Sequence, residues 1–189
     1  MTCRGQYVMP FHGDDEIYRE GLICVLDLCW DSSAHQTAAF IFHPRDQDGQ
    51  IVGTPFSRER SNFVKLRADE GVTGDKKEIV RVELLTTATY DPKGTYRRVP
   101  TSLSGARIAL RHDTACLNES IGVKHYLAVG MTSKAWKTQL NNSYPIYLLH
   151  RAHCAAFFRG RYRSVEYFFR SMVGVIVYGL IALTEIGQR

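Results

Sequence analysis

Short β-branched and aromatic segments recur along this chain, set apart by turn-forming residues, and that spacing constrains its fold more than any other feature. Residues 78–85 (EIVRVELL) alternate, with Val80, Val82 and Leu84 on one side and Arg81 and Glu83 on the other, as in a strand with one wet face. Residues 106–111 (ARIALR) repeat the pattern with Ala106, Ile108 and Leu110. Residues 21–30 (GLICVLDLCW) are apolar on both alternating faces and read as a mostly buried strand. Further strands are expected at 37–42, 61–66, 124–131, 144–149, 165–170 and 173–181. Asp48-Gly49, Asp91-Pro92-Lys93-Gly94 and Asn141-Asn142-Ser143 supply turns between them. Only residues 132–140 suggest a turn or two of helix.

This pattern predicts an all-β fold, a two-sheet antiparallel β-sandwich with few short helices. No composition break marks a linker, so residues 1–189 read as a single domain, with the polar stretch 58–105 a candidate for an inserted loop or hairpin. At 189 residues and 44% hydrophobic, the chain is large and apolar enough to bury a core.

Charge is distributed unevenly. Residues 1–99 carry 13 basic and 15 acidic side chains, whereas residues 100–189 carry 11 basic and 4 acidic. The surplus favours anionic surfaces, yet it is small for a dedicated nucleic-acid binder. Its densest point is Arg159-Gly160-Arg161-Tyr162-Arg163, with Arg170 nearby. On a strand, Arg159, Arg161 and Arg163 would share one face and make an anion-contact or partner-contact stripe. The five cysteines form no C-x-x-C pair, and the chain start lacks the layout of a secretory signal, so a cytoplasmic setting is expected. The longest apolar run, 172–183, has 12 residues, short of the roughly 20 that span a bilayer, and is expected to be buried as a final strand.

Several segments resemble the TerD family, β-sandwich proteins of bacterial tellurium-resistance and stress-response operons. The C-terminal match runs through Ala155-Ala156-Phe157-Phe158-Arg159-Gly160-Arg161-Tyr162-Arg163, Glu166-Tyr167-Phe168-Phe169-Arg170, Gly179-Leu180 and Leu183. Nearer the start, Arg4-Gly5-Gln6-Tyr7-Val8, Val25-Leu26-Asp27-Leu28-Cys29-Trp30-Asp31, Ala39-Phe40-Ile41-Phe42 and Asp48-Gly49-Gln50-Ile51-Val52 are similar to family motifs in the same order, as are residues 123–133. The resemblance implies a TerD-like sandwich that assembles with other stress-response operon proteins near the inner membrane face. It also implies calcium, but the family's D-L-D stretch is replaced by Ala34-His35-Gln36, and Lys76 and Lys77 interrupt the second acidic motif. Asp31, Asp75 and Glu78 remain as candidate calcium ligands, so calcium binding is expected to be weakened or lost.

The cluster His150-Arg151-Ala152-His153-Cys154 offers soft ligands, but on an extended strand His150 and His153 would point to opposite faces. Gly-rich phosphate loops, H-E-x-x-H and G-x-S-x-G are absent from the sequence. What the TerD resemblance implies is a non-catalytic stress-response binding module acting through protein assembly. The alternative is a basic β-sandwich that binds nucleic acid or serves as a viral coat-like structural protein.

Overall fold

The computed structural model describes residues 5–10, 15–30, 37–89, 99–125, 140 and 142–187. Its elements are β1 (Tyr7–Val8), β2 (Asp15–Ile17), α1 (Arg19–Trp30), β3 (Ala39–Arg45), β4 (Arg60–Ser61), α2 (Lys65–Ala68), β5 (Lys77–Arg81) and α3 (Val82–Ala88), then α4 (Thr101–Ala109), β6 (Thr114–Lys124), α5 (Ser143–Phe158) and α6 (Val165–Gly187). They fall into two compact units. One comprises Met1–Asn62, Glu70–Thr87 and His112–Ala128, the other Phe63–Asp69, Ala88–Arg111 and Val129–Arg189.

The first unit is a sheet with α1 and most of α3. The strands run in the order β1-β5-β3-β6-β2, with β4 pairing β6, and the sheet curls into a half-barrel. β3 and β6 are parallel and the other pairs antiparallel. Six consecutive residues of β3, from Ala39, are buried, as a central strand covered on both faces requires. On α1, Gly21 and Val25 are buried one turn apart, and Val25 joins Phe40, Phe42, Ile79 and Ile121 in the core.

The parallel pairing of β3 with β6 slips beside His43. Beside the slip, the Asn118 carboxamide ties β6 to the Phe56 backbone and to the His43 ring. Its Nδ2 donates to the Phe56 carbonyl (3.0 Å), and its Oδ1 accepts from the Phe56 N–H (2.8 Å) and from His43 Nε2–H (3.1 Å). The Asp48-Gly49 turn is also built by a side chain. Asp46 Oδ1 accepts from the N–H groups of Asp48 and Gln50, and Gly49 takes a φ of 77°.

The second unit is helical. Val64, Leu103, Ala106, Ala109, Ala152, Ala156, Tyr162 and Phe168 form its core. α5 and α6 make an antiparallel hairpin whose turn is set by Gly160 at φ 66°. Gly160 N–H donates to the Phe157 carbonyl (2.8 Å) and Arg161 N–H to the Ala156 carbonyl (2.9 Å), the paired bonds that close a helix on a left-handed residue.

The chain is therefore mixed α/β, with six helices among the described residues, and not the all-β, two-sheet antiparallel β-sandwich that the sequence and the TerD resemblance led us to expect. The strand at 21–30 is α1, and 106–111 belongs to α4 and the turn after it. The pattern at 78–85 is strand only to Arg81 and then becomes α3, while 144–149, 165–170 and 173–181 are α5 and α6. Residues apolar on both alternating faces satisfy a helix as readily as a buried strand, and period two discriminates only when polar residues interrupt it. The turn at 91–94 and all but the last residue of the helix at 132–140 lie outside the described residues.

Candidate functional site

Among the described residues, exposed apolar surface is concentrated on α6. Phe168, Ser171 and Gly174 are buried on one side of the helix. On the other side, Val165, Phe169, Met172, Val173, Ile176, Val177, Leu180 and Leu183 stand in solvent. Their steps of three and four place them in one stripe along the helix. Val165–Thr184 is long and apolar enough to cross a bilayer, and only 22% of it is buried. The expectation that 172–183 is a buried strand is thus corrected twice over: it is helical, and its large side chains point outward.

Rings gather at the hairpin turn. Phe157 stacks on Phe168 with centroids 4.3 Å apart, and Phe158 meets Phe168 edge to face at 5.3 Å. This packing holds Phe158 outward, 78% exposed, beside the start of the apolar stripe. Tyr162 lies under the turn with a buried hydroxyl, and burial pushes its phenol above the ordinary range.

The arginines expected to form a stripe on a strand sit instead around this turn. Arg159 caps α5 and is exposed. Arg161 folds inward, its Nε donating to the Ala109 carbonyl (2.6 Å). Arg163 is exposed, with its backbone N–H on the Asp69 carboxylate (3.0 Å), and Arg170 projects from the second turn of α6. Arg159, Arg163 and Arg170 are thus exposed, at the turn and on the second turn of α6, whereas Arg161 is held inward.

Asp69 also accepts from the Ser164 N–H (2.8 Å), and Ser164 Oγ accepts from the Tyr167 N–H (3.2 Å). The Ser164 hydroxyl therefore caps the third N–H of α6, and the Asp69 carboxylate holds the two N–H groups just before the helix, at its positive end. The Ser164 cap was visible in the sequence as a hydroxyl residue just before an apolar run, but the strand reading of 165–170 hid it.

His150 and His153 are one helical turn apart on α5, with ring centroids 6.0 Å apart. The helix brings together what a strand would have separated. His150 stacks on Tyr178 (5.6 Å) and His153 leans on Tyr167 (5.3 Å). Burial holds both imidazoles below the ordinary histidine range, His153 at about 4. Cys154, next in sequence, has its thiol raised by burial.

Asp75 is ion-paired with Lys124, Glu78 lies on β5, and Asp31 is outside the described residues. Among the described residues no three His, Cys, Asp or Glu side chains converge as a metal site would require. No family model, no curated protein and no solved structure matches this chain. The tellurium-resistance and calcium-binding roles drawn from the TerD resemblance gain no support from them, and its β-sandwich is not the fold.

Proposed function

We propose that this chain is a binding module that docks peripherally on an anionic membrane surface through the α5–α6 hairpin. The observation that carries this reading is the exposed apolar stripe of α6, which starts at Val165 and Phe169, close in sequence to the exposed Phe158, Arg159 and Arg163 of the turn and to Arg170. Apolar side chains at this density are costly to leave in water, and arginines beside them suit lipid phosphates.

The helix lies on the surface and does not span it. Arg151 of α5 lines the same groove as Ile176, near the midpoint of Val165–Thr184. A spanning α6 would carry that guanidinium to the bilayer centre, where a charge is expensive. Lying flat, the helix keeps Arg151, Arg163 and Arg170 at headgroup level while the stripe enters the acyl boundary.

Co-sedimentation with vesicles tests this. The full chain should pellet with phosphatidylcholine vesicles that contain phosphatidylglycerol, less with phosphatidylcholine alone, and less as salt rises. The double variant Phe158→Ser, Phe169→Ser changes only exposed rings and should weaken partitioning roughly tenfold or more. Resistance to extraction by alkaline carbonate would overturn the peripheral reading. Retention on single-stranded RNA through the same arginines, without vesicle binding, would overturn the membrane itself as the partner.

A further inference from the structure

The hairpin face carries a groove of about 410 Å³ on the side of α6 away from the turn, within the size range of small-ligand clefts. Tyr144, Tyr147 and Arg151 line it from α5, and Ile176, Leu180 and Leu183 from α6. Ile176, Leu180 and Leu183 belong to the apolar stripe, so groove and stripe are one surface. Among the described residues that line the groove, Arg151 is the one that carries a charge. It lies 5.6 Å from the centre of the Tyr147 ring, and among the described residues its guanidinium has no hydrogen bond or ion pair.

Resting on the membrane reading, we propose that this groove takes one acyl chain of an anionic phospholipid, with Arg151 on the headgroup phosphate. An apolar channel that presents a single unpaired, aromatic-backed guanidinium suits an amphiphile with one anionic end. It suits neither a free anion, which would gain nothing from Leu180 and Leu183, nor a neutral chain, which would leave Arg151 without a partner. Gly179 lets the Tyr147 ring lie close against α6 in the groove, since a Cβ there would stand 3.3 Å from that ring.

The test is calorimetric titration of the full chain with dihexanoylphosphatidylglycerol below its micellar concentration. Saturable one-to-one binding is expected, weakened roughly tenfold or more by Arg151→Gln, which loses a charge-assisted hydrogen bond from an exposed side chain and leaves the fold intact. Arg163→Gln lies outside the groove and should leave this affinity unchanged while weakening vesicle binding. Equal affinity for dihexanoylphosphatidylcholine, full competition by glycerol phosphate, or an unchanged Arg151→Gln would each overturn the groove assignment. If vesicles bind but the monomeric lipid does not, the groove assignment falls and membrane docking stands. If the lipid binds but vesicles do not, docking falls alone.

Discussion

Asp15 on β2 and Lys77 on β5 meet as a buried ion pair although β3 and β6 lie between their strands. Three strand-to-strand steps cover about 14 Å in a flat sheet, and side chains perpendicular to it would not meet across that gap. The curl of the half-barrel turns them toward one another, so the pair ties the second strand from one edge to the strand at the other. Removing one partner strands the other charge in a buried site. Lys77→Met should lower unfolding stability by about 3–5 kcal/mol in urea titration, and adding Asp15→Leu should restore much of it. Full additivity of the two losses would show that they do not interact.

The two α5 histidines should make the helical unit acid-sensitive. His153 has its folded pKa pushed down to about 4 from 6.5, chiefly by burial and then by His150, and His150 is lowered by burial and by Arg170. Between these values the unfolded chain binds protons that the folded chain does not, so stability is complete above about pH 6.5 and falls as pH drops toward about 4. For His153 the full effect is on the order of 3 kcal/mol. His43 in the sheet unit is lowered in the same direction, mainly by burial, and contributes with the same sign. Urea unfolding across this window should show His153→Phe, which suits the site beside Tyr167, with a shallower pH slope than the parent chain. An identical slope would refute the assignment.

Gly174 fixes how closely α6 approaches α5. A Cβ there would fall 2.4 Å from the His150 ring, which is itself stacked on Tyr178. Gly174→Ala gains about 1 kcal/mol in helix propensity, but the ring has to move, and overpacking costs about 1–3 kcal/mol. The variant should melt at or below the parent temperature. Near-ultraviolet circular dichroism should register the displaced Tyr178, whereas an unchanged spectrum with a raised melting temperature would show the contact to be loose.

What the sequence disclosed divides along physical lines. The strand at 37–42 and the first half of 78–85 were legible because β-branched and aromatic residues there alternate or run buried within sharp turns. α6 was not legible, since Val173, Val175, Ile176, Val177 and Ile181 with Gly174 and Gly179 carry strand propensity, and packing on α5 overrides it. The site shared that fate. Its arginines stood out as a basic cluster, but their setting did not, because a strand reading buried Leu180 and Leu183, the side chains that the helix leaves in solvent. The capping role of Asp69 had no local signal: its bonds to Arg163 and Ser164 join residues more than ninety positions apart.

That cap yields a variant that separates folding from docking. Ser164 Oγ caps the first turn of α6, the Asp69 carboxylate holds the two residues before it, and neither Ser164 nor Asp69 is one of the apolar residues of the stripe. Ser164→Ala removes one acceptor and should cost about 1 kcal/mol. Asp69→Ala removes bonds to two N–H groups together with a negative charge at the positive end of a helix, and should cost more, about 2 kcal/mol. Both losses are read from chemical denaturation. Below the melting transition, vesicle partitioning of Ser164→Ala should equal that of the parent, because Phe158, Phe169 and the exposed arginines are unchanged. A Ser164→Ala chain that stayed folded yet lost vesicle binding would mean that the turn, and not the stripe, makes the contact.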